Sequence, residues 1–183
     1  MVQRYLPMES IKSSIGAALE SVTGPPSILL ITSPDSGSEG HETLDRTIEA
    51  CVAAGLEVTL ATPEGTPVRV LRDEERPTVS LFTVQHTAYP AVLLLAPTPA
   101  SDDKNNNNND DEEEEDVNVV EVVRKFHDAE KPVGGIGRGA RRVVRAAGVR
   151  DSSVAPVSVQ DGETVTHVQT VVSFLANLVR WSP

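Results

Sequence analysis

The chain has a single cysteine among its 183 residues, Cys51, so no disulfide can form within it and a reducing compartment, by default the cytoplasm, is the expected setting. No apolar run approaches the roughly 20 residues that cross a bilayer, so no membrane association is expected. The start lacks the ordered charged, apolar and small-residue regions of a secretory signal. An excess of one charge is also missing from most of the chain, although the formal net charge is −11. Residues 101–116 hold nine acids against Lys104, which is −8, and leave about −3 for everything else. A folded body this close to neutral gives no electrostatic case for nucleic acid as a partner.

What is present suits one domain with one core, expected over residues 27–181. Short apolar runs alternate with helical patterns. Ser27 to Thr32 is a continuous apolar run closed by Pro34, the mark of a strand covered on both faces. A helix is expected near Glu42 to Ala54, with Leu44, Ile48, Cys51 and Val52 inward and Gly55 as its stop. Strands follow at Leu56 to Ala61, Pro67 to Leu71 and Ala91 to Ala96. Val117 to Ala129 reads as a helix with Val119, Val122, Val123 and Phe126 inward. Next come a strand from Pro132 to Ile136 and a helix to about Ala147. Asp161-Gly162 predicts a hairpin between Val157 to Gln160 and Glu163 to Thr166, and a last helix covers Val168 to Arg180. This alternation predicts an α/β three-layer sandwich with a mostly parallel, flavodoxin-like sheet. Its ligands belong at the carboxyl ends of the strands, in the loops after Thr32, Ala96 and Ile136.

Two segments stand apart. Residues 1–26 read as an N-terminal helix or tail, with Ile11, Ile15, Ala18, Leu19 and Val22 along one side, and Glu9 and Glu20 argue against a mitochondrial presequence. Asn105 to Asn109 followed by acids make residues 101–116 a disordered insertion, since nothing apolar offsets the entropy of ordering them.

Lys131 to Gly139 (Lys-Pro-Val-Gly-Gly-Ile-Gly-Arg-Gly) is a buried strand running into a sharp turn that opens a helix. In hydrolytic α/β folds that turn carries the nucleophile, and here its apex is Gly137, flanked by Arg138 and Gly139. Together with Ala54 to Gly65, Tyr89 to Leu95 and Val120 to Gly139, this turn resembles the PfpI / Parkinson disease protein 7 superfamily. Within it, the chain is most similar to glutamine amidotransferase-like class 1 domain proteins that carry glycine in place of the nucleophilic cysteine. The resemblance implies a class I glutamine amidotransferase-like fold over about Ile28 to Gly148 and again in the closing region, and a homodimer. Active members use a cysteine at the turn, a glutamate from the loop after the first strand, a histidine beyond the turn, and backbone N–H donors after the fourth strand. Here the turn has Gly137, the glutamate falls on Glu39 or Glu42, Val149 to Pro156 holds no histidine, and the donor pair falls on Ala96-Pro97, where proline has no N–H.

The resulting expectation is a catalytically degenerate domain, with no catalytic residue, cofactor or metal, that binds a small anionic ligand or a protein partner. Arg138 at a helix N-terminus is suited to a carboxylate or phosphate. His41, Glu42, Pro97 and His167 complete the candidate ligand-binding set. One alternative is a hydrolase or lyase in which Glu42 and His41 act without a cysteine. Another is a nucleotide binder, because Gly135 to Ala140 fits a G-x-G-x-x-A pattern with Asp161 beyond the next strand. Cys51, on the apolar stripe of its helix, reads as core packing.

Overall fold

The computed structural model describes residues 24–33, 37–70, 74–96, 116–151 and 155–181. The expected N-terminal helix or tail thus lies outside the described residues but for its last three, and so does the acidic insertion but for Asp116. That residue caps a helix, its carboxylate accepting the N–H of Asn118 at 2.8 Å.

The centre of the molecule is β1 (Ser27–Thr32). It is flanked in the sheet by β2 (Glu57–Thr62) on one side and by β6 (Val92–Leu95), β7 (Val133–Ile136) and β8 (Val157–Gln160) in turn on the other. A two-residue β5 (Val79–Ser80) closes the β2 edge, giving the order β5-β2-β1-β6-β7-β8 with every pairing parallel. Two further two-residue strands, β3 (Val68–Arg69) and β4 (Glu75–Arg76), form a separate antiparallel ribbon in place of the expected third strand.

Both faces are covered because β1 and β6 are apolar throughout and alternate their side chains. Ile28, Leu30, Leu93 and Leu95 pack beneath α1 (Gly37–Ala53) and α4 (Val165–Trp181). Leu29, Ile31, Val92 and Leu94 pack beneath α2 (Val117–Asp128) and α3 (Arg138–Ala146). Each such side chain is worth about 1.5–3 kcal/mol relative to exposure. The sheet is therefore held from two sides by separate clusters.

Three expectations are corrected. The first helix starts at Gly37, and Val52 is exposed: the inward stripe runs through Leu44, Thr47, Ile48 and Cys51, and Val52 lies round the helix from it. The hairpin is absent, because β8 pairs parallel to β7 and the chain after Asp161-Gly162 turns into α4. The local reason is Thr164, whose hydroxyl accepts the N–H of His167 at 3.4 Å while its carbonyl accepts that of Val168 at 3.0 Å, a capped start to a helix. No helix among the described residues is long and apolar enough to cross a membrane.

Candidate functional site

The chain leaves β1 towards β2 on one side and returns to β6 on the other, so the strand order reverses between β1 and β6 while the strands stay parallel. Open α/β sheets bind ligands outside the carboxyl ends of strands at such a reversal. Thr32, Leu95 and Ile136 lie side by side there in register.

One step beyond Ile136 stands Gly137, the N-cap of α3, at φ 93° and ψ 159°. This backbone region is essentially closed to residues with a Cβ. The space is closed as well. A Cβ on Gly137 would overlap the carbonyl oxygen of Ala96 and come within 3.0 Å of its carbonyl carbon, with Oε1 of Glu163 at 3.3 Å. A Cβ on Gly139 would lie 2.9 Å from the Cβ of Ala96. The end of β6 thus fills the elbow, and the Gly137 N–H is engaged by the Gln160 carbonyl at 2.8 Å. Gly137 itself therefore presents no side chain, and its own N–H is already bonded.

Glu163 reaches this point from the turn after β8. Its other oxygen, Oε2, accepts the Thr43 hydroxyl at 3.4 Å, which bridges the elbow to α1. Thr43 is buried, and its carbonyl accepts the Thr47 hydroxyl at 2.7 Å. A carboxylate beside a helix N-cap is favourably placed, since the helix end carries partial positive charge. Among the described residues, two buried polar side-chain atoms have no hydrogen-bond partner, Thr32 Oγ1 and His167 Nδ1.

The sequence-derived candidates are dispersed relative to this cluster. Glu42 is exposed and ion-paired to Arg46 one turn along, and His41 is half-buried beside it. Arg138 is exposed at the first position of α3. His167 packs its ring against Gly162, so closely that a Cβ there would collide with it. Pro97 lies outside the described residues. The structure brings together Gly137, Gly139, Ala96 and Glu163, with Thr43 hydrogen-bonded to Glu163; of these the sequence marks the two glycines as the elbow and Ala96 as half of the donor pair, and neither Glu163 nor Thr43 as a site. Glu163 and Thr43 went unseen because their contact joins positions 120 residues apart. The only local signal was the Asp161-Gly162 turn that delivers Glu163.

Elsewhere the chemistry is quiet. Asp161 pairs with Arg141 at 2.5 Å, so it does not stand free across a groove from Gly135. Cys51 is wholly buried within the core cluster beneath α1, as its place on the apolar stripe predicts, and burial pushes its thiol up to about 12. Among the described residues no group of three or more His, Cys, Asp or Glu lies together as metal ligands would.

No family model matches the sequence, and no curated protein matches it. Solved structures do match its fold. A ThiJ/PfpI domain protein from Brachyspira murdochii superposes with a TM-score of 0.59 at 13% identity, over 86% of this chain and 98% of that one. Drosophila melanogaster DJ-1beta gives a TM-score of 0.56 at 17% identity, over 85% and 94%. An isoprenoid biosynthesis protein with an amidotransferase-like domain from Ehrlichia chaffeensis gives 0.56 at 13%, over 84% and 99%. With its parallel six-stranded sheet between two helix layers and a strand-turn-helix elbow at Gly137, this chain has the ThiJ/PfpI and DJ-1 type of fold, the amidotransferase-like sandwich.

Proposed function

We propose that the protein acts by binding, as a PfpI-like domain without cysteine chemistry, and that its ligand is a small anion held at the rim of the elbow by Arg138. The observation that carries the first half is the filled elbow: the carbonyl of Ala96 and the carboxylate of Glu163 stand where a nucleophilic side chain would project from position 137. Support for the second half is the exposed guanidinium of Arg138 at the start of α3, where backbone N–H groups lack helical partners. Glu163 already lies beside that helix end, so an external anion competes with the chain's own carboxylate. A nucleotide at Gly135 to Ala140 is disfavoured, because Ala96, Ala140 and Val159 pack against those glycines. The single buried thiol fits a reducing, cytoplasmic setting.

A second reading, a hydrolase or lyase that needs no cysteine, draws on the hydrogen-bonded Thr43 and Glu163. Glu42, tied to Arg46, serves it less well than Glu163 does.

A thermal-shift screen of the full chain against phosphate, simple carboxylates, nucleotides and reactive aldehydes tests these readings. At 100 times its Kd a bound anion adds about 2.7 kcal/mol. The expected result is a shift with a small anion that disappears in Arg138→Ala and strengthens in Glu163→Gln, where the competing charge is gone. Turnover of an amide, ester or aldehyde that Glu163→Gln abolishes would replace binding with catalysis.

A further inference from the structure

β2 is paired along its whole inner side and along little of its outer one. It meets β1 from Glu57 to Ala61, but on the other side β5 reaches only Ala61 and Thr62. From Glu57 to Leu60 the outer edge has no strand beside it. Neighbouring residues of a parallel strand direct their peptide groups to opposite sides. The Glu57 N–H bonds inward to the Pro26 carbonyl at 3.0 Å, so the peptide groups of Val58 turn outward. A bare edge of this kind is a template for another chain.

The same edge borders a groove of about 380 Å3, lined by Ile48 of α1, by Val58, Thr59 and Leu60 of β2, and by the Arg76 to Val79 segment that leads into β5. Ile48 and Leu60 are buried and give it an apolar floor. Arg76 is its one charged group, and the next twenty residues, Pro77 to Ala96, contain no Asp, Glu, Lys or Arg at all. The hydroxyls in the groove are engaged, that of Thr59 with Ser27 at 3.1 Å and that of Thr78 with the Thr66 carbonyl at 3.0 Å. Glu75 faces Arg69 across the β3–β4 ribbon, and Arg76 has no ion-pair partner among the described residues.

We infer that this groove receives the free C-terminus of another polypeptide, added as a strand to the outer edge of β2 with its terminal carboxylate on Arg76. Three features select that occupant. The bare edge takes an extended backbone, held by main-chain hydrogen bonds. The floor of Ile48, Val58 and Leu60 takes the apolar side chains that alternate along such a strand. The third feature is where the groove stops. A chain running parallel to β2, as every strand of this sheet does, meets Pro77 and Thr78 and cannot continue, because β5 holds the next places on the edge. A chain that ends there brings its carboxylate to the one unpartnered cation. β1 and β6 separate this groove from β7 and its elbow, so the inference is independent of any ligand there.

The test exposes the immobilised full chain to a library of short random peptides, each made once with a free C-terminal carboxylate and once as the amide. Retained peptides are expected to be free acids with apolar residues near the end, and the matching amides to bind about 10-fold or more weakly. Arg76→Gln changes an exposed side chain, so its melting temperature stays with that of the wild type while acid and amide come to equal affinity. N-methylation along a retained peptide reads out strand addition: methyl groups on alternate residues abolish binding, and those between leave it unchanged. A full chain that retains no peptide overturns the proposal, whether the groove stands empty or is filled by the chain itself. Amides that bind as well as acids, an acid preference that survives Arg76→Gln, or N-methylation without alternation would each overturn it too.

Discussion

Two regions of this molecule are built in opposite ways. At the carboxyl edge, where sheets of this type place their chemistry, the chain has filled the space with its own atoms: the Ala96 carbonyl and the Glu163 carboxylate, the latter held by the Thr43 hydroxyl, close round Gly137. At the sheet's β5 edge, where parallel folds are usually protected by charge, twenty residues without a charge leave Phe82 standing in solvent. One region has polar groups and no room, and the other has room and, at its border, only the charge of Arg76.

The strongest way to break the comparison is to put a side chain into the closed region. Gly137→Ala combines a backbone region that costs other residues about 1–3 kcal/mol with overpacking of similar size, so a loss of about 2–6 kcal/mol is expected. It should be read as a drop in urea midpoint with an unchanged slope. A variant as stable as the wild type would mean that β6 yields easily and that the elbow is closed only in passing. A smaller effect is expected behind the open region. Lys131→Met removes the ammonium that holds the His86 and Tyr89 carbonyls and leaves both without that donor, at a cost of about 1–3 kcal/mol.

The smallest effect at neutral pH concerns the one thiol, which belongs to neither region. Cys51 should resist thiol reagents in the native state. Its ordinary value of 9.0 is raised to about 12 in the folded chain, so the unfolded chain gives up the proton first as pH climbs. The stability difference between the wild type and Cys51→Ala therefore shifts against the wild type between about pH 9 and 12, by no more than about 1.4 kcal/mol per pH unit. Rapid native labelling would show that α1 opens away from the sheet.

The parts of the fold that were legible in the sequence are those in which one signal dominates. Ser27 to Thr32 and Ala91 to Ala96 are too apolar to be anything but covered strands, and Val122, Val123 and Phe126 keep a helical period. The short strands β3, β4 and β5 were illegible because two residues carry no period, and their pairing follows from where the neighbouring chain happens to run. The hairpin was misread because Asp161-Gly162 suits both a tight turn and an approach to a helix. Thr164 decides for the helix, since its capping bonds are available only there. At the site, glycine at the elbow was plain from the residues alone. What fills the elbow was not, because the Ala96 carbonyl is backbone and Glu163 arrives from a turn 26 positions away.

The seat of Ala96 against Gly137 also limits where this protein can go in evolution. Where a catalytic residue has merely been replaced in an otherwise intact cleft, one codon change can return it. Here a cysteine codon at position 137 would encounter a forbidden backbone region and an occupied space before it encountered any substrate. The end of β6, the turn holding Glu163 and residue 137 would have to change together. Descendants of this chain are consequently held away from placing a cysteine at the elbow.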